Sequence, residues 1–100
     1  MSNENQALPT HEMFLAAGPA ERVQLVEDQI VTSLRGLRPG EPAWFDSTTH
    51  LADLAIDSIQ LVELKFALDQ LVGVEIDVGV FIANPTVREL AEQSAAVGGQ

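Results

Sequence analysis

Residues 54–73 read LAIDSIQLVELKFALDQLVG, and this run predicts a helix from Ser58 to Val72. Asp57 stands where an N-cap residue accepts the free N–H groups of the first turn, and Gly73 stands where a helix commonly ends. Apolar residues recur at helical spacing along one face, which predicts packing into a bundle. This core stripe consists of Leu61, Leu64, Leu68, Leu71 and Val72.

A second apolar stripe lies on nearly the opposite side of the same predicted helix. It consists of Ile59, Val62 and Phe66, and Glu63 and Asp69 flank it. A helix in a bundle of this size cannot easily bury both faces. Either the preceding loop covers the second stripe, or the stripe is exposed to receive a partner. The residues alone leave both alternatives open.

One further long helix is predicted before this one in the sequence, and another is predicted after it. The first begins at Pro19 and ends near Gly36, and the last begins at Thr86, which has capping-box spacing to Glu89. The apolar face of the first consists of Val23, Val26, Ile30, Leu34 and Leu37. The inner face of the last consists of Val87, Leu90, Ala91 and Ser94.

A long loop is predicted between the first two long helices, from about Leu37 to Asp57. At about 20 residues it is longer than most connections in a compact domain, and long loops are often functional. Trp44 and Phe45 are expected to anchor it onto the core rather than bind a ligand. A short turn in this loop is expected to carry Leu51 and Leu54.

The fold class predicted from these elements is all-α: a four-helix bundle with three main helices, one short helix and a long first loop. Residues 74–77 alternate like a strand but have no hairpin partner, so a short helical turn through residues 80–82 is favoured. Residues 1–17 are expected to form a flexible arm with a short helical end near Met13 and Phe14. The bundle is assigned to residues 18–97 and a frayed tail to residues 98–100.

The composition excludes several classes of function. Fifteen acidic residues against 5 basic ones give a formal net charge of −10, which opposes binding to nucleic acid or to anionic lipid. The chain has no cysteine, so thiolate chemistry and Cys-ligated zinc are excluded. No signal peptide and no membrane-spanning run is visible. These features predict an acidic, monomeric, cytoplasmic domain whose partners carry basic patches.

The sequence offers little for catalysis. A nucleophile, base and acid can be assembled from Ser58, His50 and Asp53, but no Gly-x-Ser-x-Gly elbow accompanies them. No calcium-loop or glycine-rich phosphate motif is present either. Ser58 is an ordinary capping residue when taken alone, although a helix N-terminus also favours an attached or bound phosphate. The residues therefore predict a protein that is not an enzyme.

Three segments, in order along the chain, resemble acyl carrier proteins. LAIDSIQLVEL at residues 54–64 is similar to the Asp-Ser-Leu attachment motif of that family. The spacing of Leu51 and Leu54 and the run NPTVRELA at residues 84–91 also match. The resemblance covers about residues 21–93, and the entry GPAER at residues 18–22 is similar to carrier domains of modular polyketide synthases.

The resemblance implies a cofactor, 4′-phosphopantetheine, which a phosphopantetheinyl transferase attaches from coenzyme A. Ser58 would be the attachment point and Asp57 the adjacent motif residue. The thiol of the arm would hold acyl or polyketide intermediates as thioesters and shuttle them between synthase enzymes such as an acyltransferase or a ketosynthase. The residues that match the face such carriers present to these enzymes are Ile59, Val62, Glu63, Phe66 and Asp69.

Some positions depart from the family pattern. The family usually has glycine at the position of Ala55, and Gln60 and Gln70 stand where fatty-acid carriers are often acidic, which favours a specialised synthase. The start at Met1 is typical of a discrete carrier, although a domain excised from a longer synthase would look similar. An aminoacyl or peptidyl carrier is the first alternative, although that class usually shows Gly-His-Ser before the helix. An unmodified helical adaptor that docks through the second stripe is the other alternative.

Overall fold

The computed structural model describes residues 10–37 and 45–98. Within these ranges it contains five α-helices, one 3₁₀ turn and no strand, so the predicted all-α fold is confirmed. The helices are α1 (His11–Ala16), α2 (Pro19–Leu37), α3 (Ser58–Val72), α4 (Val78–Ile82) and α5 (Val87–Gly98). The 3₁₀ turn, Leu51–Leu54, precedes α3 and carries the two leucines expected there.

The three long helices enclose the core, and α2 packs mainly against α5 and α3. The predicted apolar faces are confirmed wherever their side chains are described. Only Val23 and Leu61 remain partly exposed, and both pack against the edge of the core. The fully or nearly buried residues on these faces are Val26, Ile30, Leu34, Leu64, Leu68, Leu71, Val72, Val87, Leu90, Ala91 and Ser94.

The short helical end predicted near Met13 and Phe14 is present, but residues 10–17 pack against the bundle instead of forming part of the flexible arm predicted over residues 1–17. They contain α1, which Thr10 caps by accepting the N–H of Met13 through its side chain. Phe14, on the buried side of α1, is completely inaccessible to solvent and belongs to the core. The bundle therefore begins at α1 rather than at residue 18, and residues 1–9 lie outside the described residues.

Two hydrogen-bonding side chains, those of Arg22 and His11, hold α1 against the bundle. The Arg22 Nε–H donates to the Phe14 carbonyl at 2.9 Å, and its guanidinium carbon lies 5.0 Å from the centre of the Phe14 ring. The His11 Nδ1–H donates to the Leu71 carbonyl at 2.9 Å, near the end of α3. Gly73, whose φ of 83° lies in the left-handed region, ends α3 and leaves room for the His11 ring.

The described part of the first loop is ordered by local hydrogen bonds and by one aromatic anchor. Phe45 packs against the core as predicted, whereas Trp44 lies outside the described residues. The Thr48 hydroxyl and N–H both donate to the Asp46 carboxylate and lower its pKa. Later in the chain, Thr86 and Glu89 form the predicted capping box of α5, with bonds of 2.9 and 3.0 Å.

Two kinds of feature are missing from the described parts of the chain. No helix in residues 10–37 or 45–98 combines the length and the hydropathy that crossing a bilayer requires. The same residues contain no cluster of histidine and carboxylate side chains that could hold a metal ion.

Candidate functional site

Ser58 is the first residue of α3, and its side chain is exposed. Its hydroxyl makes no hydrogen bond with any other described residue. The His50 imidazole, which the sequence offered as a base for this hydroxyl, donates instead to the Asn84 carbonyl at 2.8 Å. The structure therefore does not bring a catalytic triad together, and it leaves the Ser58 oxygen accessible to an external reactant.

Asp57 fixes the start of α3 through a reciprocal pair of hydrogen bonds with Gln60. Asp57 Oδ1 accepts the Gln60 N–H at 2.7 Å, and Gln60 Oε1 accepts the Asp57 N–H at 3.0 Å. The N-cap was predicted from the sequence, but the part played by Gln60 was not, although capping-box spacing indicates it. This pair holds the first turn without involving the Ser58 side chain.

Ala55 makes the sharp turn that leads into this cap. Its φ of 56° and ψ of 38° lie in the left-handed region, which residues with a β-carbon rarely adopt. The turn therefore keeps the conformation for which glycine is the usual residue, although the glycine itself is absent. Leu54, immediately before it, is fully buried and fixes the position from which the chain turns outward to Ser58.

The second stripe is exposed, which favours the second of the two alternatives left open by the sequence. Ile59 is 69% exposed, and Val62 and Phe66 are each 63% exposed, so the described part of the loop does not cover them. Glu63 is also exposed on this helix. Four of the five predicted docking residues are therefore accessible to a partner.

Exposed apolar residues on α4 and before it were missed by the sequence reasoning. Val78 is 52% exposed and Ile82 is 73% exposed, while Phe81 between them is buried. Val74, in the α3–α4 connection, is 44% exposed. The spacing of Val78 and Ile82 by one helical turn was the available indication, but it is too short a pattern to show which side faces the core.

Asp69 does not belong to the free acidic surface on which it was placed. Its Oδ1 accepts the buried Ile76 N–H at 2.8 Å, and its Oδ2 accepts the Lys65 ammonium at 2.7 Å. The second contact raises the pKa of Lys65, which also lies 3.6 Å from Glu75. Only 18% of the Asp69 side chain is exposed. Asp69 therefore holds the α3–α4 connection in place, and its charge is already paired.

We expect Asp69→Ala to destabilise the fold by about 1–3 kcal/mol, because it leaves the buried Ile76 N–H without an acceptor. Asp69→Asn is the matched control, since the amide oxygen retains that acceptor and loses only the bond to Lys65. Urea denaturation of both variants measures the difference. Equal stability of Asp69→Ala and the native protein would show that Asp69 is a surface charge after all.

Comparison with known proteins agrees with this geometry. A family model described as the phosphopantetheine attachment site matches residues 29–93, which include α3 with Ser58 at its start, α4 and most of α5. No curated protein and no solved structure matches the chain. The match covers more than half of the chain and excludes α1. The chain therefore belongs to the family of phosphopantetheine attachment domains, in which 4′-phosphopantetheine is a covalently bound cofactor.

Proposed function

We propose that this protein is an acyl carrier protein of a polyketide synthase and that Ser58 carries its 4′-phosphopantetheine arm. The observation that carries the proposal is the exposed Ser58 hydroxyl at the first turn of α3, beside an exposed apolar stripe. Family membership favours a modified carrier over an unmodified helical adaptor. The acyl part of the proposal rests on the Ile-Asp-Ser sequence at residues 56–58, where peptidyl carriers usually have Gly-His-Ser. The polyketide part rests on the resemblance of residues 18–22 and 84–91 to carrier domains of modular polyketide synthases.

The surroundings of the other described serines support the choice of Ser58. Ser94 is completely buried, and the Ser33 hydroxyl accepts a hydrogen bond from the Gln29 amide. Ser47 is partly buried in the loop. Ser58 is therefore the exposed serine of residues 10–37 and 45–98, and a transferase could approach its oxygen without unfolding the bundle.

The start of α3 also suits an attached phosphate. The first turn of a helix presents N–H groups without partners in the helix, and the helix dipole favours negative charge there. The Asp57 carboxylate accepts the N–H of Gln60 and not those of Ser58 and Ile59. The N–H groups of Ser58 and Ile59 therefore remain available to bind an attached phosphate. The bound cofactor supplies the thiol on which acyl groups are held as thioesters, and the chain itself has no cysteine that could do so.

The charge around the second stripe defines the partners we propose. Three of the basic residues are engaged within the fold: Arg22 with α1, Lys65 with Asp69, and Arg88 with Glu27 at 2.8 Å. These basic side chains therefore do not neutralise exposed carboxylates such as Glu63, whose negative charge remains available to attract a partner. A partner that presents an apolar pocket with a basic rim fits this face, and the transferase, acyltransferase and ketosynthase are the enzymes we expect to use it.

The function is tested by loading the purified protein in two stages. Co-expression with a broad-specificity phosphopantetheinyl transferase should raise the intact mass by one phosphopantetheine group. The modified protein is then offered malonyl-coenzyme A with a polyketide acyltransferase, and an amino acid with an adenylation domain. We expect loading in the first reaction alone. Aminoacyl loading would replace the acyl assignment, and an unchanged mass in the first stage would overturn the carrier function.

Phe66→Ser should slow delivery to partner enzymes while changing the free energy of unfolding by no more than about 0.5 kcal/mol. The ring is exposed, so its removal costs little in the free protein. An aromatic residue at the centre of an interface often contributes much of the binding energy, however. Transfer kinetics with a ketosynthase and thermal melting, measured side by side, check both parts.

Leu15→Ser is the matched control for Phe66→Ser. Leu15 is 55% exposed on α1, outside the second stripe, so its replacement should change neither stability nor transfer. A large fall in melting temperature for Phe66→Ser would place Phe66 in the core. Equal transfer rates for Phe66→Ser and Leu15→Ser would show that Phe66 is not part of the docking face.

A further inference from the structure

The loop before α3 is tied to the connection between α4 and α5 by hydrogen bonds that we name the loop clamp. The clamp joins residues 47–52 to residues 84–88. Backbone bonds run from the Leu51 N–H to the Pro85 carbonyl at 3.0 Å and from the Val87 N–H to the Thr49 carbonyl at 2.9 Å. A third runs from the Arg88 N–H to the Ser47 carbonyl at 3.0 Å. The loop clamp thus fixes a segment that precedes Ser58 to an element far along the chain.

Asn84 makes two bonds at the end of the loop clamp that lies nearest α3. Its Oδ1 accepts the Ala52 N–H at 2.8 Å, and its carbonyl accepts the His50 Nδ1–H at 2.8 Å. Its φ of 58° is in the left-handed region, which asparagine tolerates better than most residues with a β-carbon. The position therefore needs both an unusual backbone conformation and a side-chain acceptor, and asparagine supplies both.

The bond from Ala52 is the last one, among the described residues, that ties the loop to another part of the chain before α3 begins. Ala52 lies within the 3₁₀ turn Leu51–Leu54. Ala55 then makes the left-handed turn, and the Asp57 cap follows. Only three residues, 55–57, separate the 3₁₀ turn from Ser58, so the turn and the attachment residue are close neighbours along the chain.

We propose that Asn84 is a positioning residue for the modification of Ser58. It acts at a distance by holding Ala52, and through it the turn that presents the Ser58 hydroxyl to the transferase. This inference rests on the proposed function. In this transfer the Ser58 oxygen bonds to the phosphorus that carries the pantetheine of coenzyme A, the phosphoanhydride bond breaks, adenosine 3′,5′-bisphosphate leaves and the hydroxyl proton passes to a base of the transferase. The attack requires the oxygen in a narrow range of positions, and a misplacement of about 1 Å can cost as much as 10²-fold in rate.

Three variants test the proposal with coenzyme A and a broad-specificity transferase. Glycine adopts the positive φ of position 84 without strain, but it has no side-chain oxygen to accept the Ala52 N–H. Asn84→Gly therefore tests the loss of this hydrogen bond without adding backbone strain. Asn84→Asp retains an oxygen acceptor and should restore the native behaviour. His50→Ala removes the second bond while leaving Asn84 in place, and it serves as an independent variant should Asn84→Gly fold poorly. Circular dichroism and melting temperature establish that each variant is folded.

We expect Asn84→Gly to lower kcat for loading about tenfold, with KM nearly unchanged because the second stripe is intact. Hydrogen exchange at the Ala52 amide should be faster in the same variant. His50→Ala should lower kcat by a smaller factor. Native kcat in both Asn84→Gly and His50→Ala would overturn the positioning role, as would a rise in KM alone. A native protein that is not loaded at Ser58 would instead overturn the proposed function, so the two failures are distinguishable.

Discussion

Ser58→Ala should abolish attachment of phosphopantetheine while the bundle remains folded. The substitution removes the oxygen that would form the phosphodiester. The Asp57 and Gln60 side chains that cap α3 stay in place. The change in the free energy of unfolding should therefore be about 1 kcal/mol or less. Intact mass after co-expression with a transferase measures the first effect, and urea denaturation measures the second.

Ser47→Ala is the control for this experiment. Ser47 contributes only its backbone carbonyl to the Arg88 N–H, so the variant should fold and be loaded like the native protein. Retained modification of Ser58→Ala would exclude Ser58 as the attachment point and direct attention to another serine. Loss of folding in Ser58→Ala would show that the hydroxyl has a structural role absent from the described contacts.

Phe14→Ala should lower the free energy of unfolding by about 3–5 kcal/mol, the usual cost of truncating a buried phenylalanine. A domain of this size has a total stability of about 5–15 kcal/mol, so the loss is a large fraction of it. The ring is fully buried in the core cluster. It also accepts the cation–π contact from Arg22, so that contact is lost with it. Urea denaturation gives the difference.

Met13→Ala is the matched control, because Met13 lies next to Phe14 on α1 and is 46% exposed. It should cost no more than about 0.5 kcal/mol. Similar stabilities for the two variants would mean that α1 is not part of the cooperative unit. Residues 10–17 would then belong to the predicted flexible arm in solution.

The long helices could be predicted because each repeats its apolar pattern over several turns, and α3 and α5 also carry recognisable caps. The Asp57 cap and the Thr86–Glu89 capping box are local, so the sequence contains both partners of each interaction. α1 could not be predicted as part of the bundle. It has six residues, and its burial depends on Phe14 reaching a space that distant elements enclose.

The candidate site shows the same division between local and distant interactions. The exposure of the second stripe depends on whether other parts of the chain cover it, which the pattern on α3 does not contain. The contacts of Asp69 were not predicted, because helical spacing shows where a carboxylate points, but not that the chain returns to offer it the Ile76 N–H. The bond from Ala52 to Asn84 spans 32 positions and has no local pattern at all.

The contacts of α1 link three separate parts of the sequence: α1 itself, the end of α3 and the end of α5. Substitutions in any one of them therefore constrain substitutions in the others during evolution. A β-carbon at Gly98 would lie 2.6 Å from Val72 Cβ and 2.9 Å from the Phe14 ring, and one at Gly73 would collide with the His11 ring. A side chain at Gly73 is thus compatible with the fold only if the His11 ring moves, and one at Gly98 only if both Val72 and the Phe14 ring move. Homologues should show these pairs changing together. A hybrid synthase that grafts α1 onto another carrier must transplant both glycines with it.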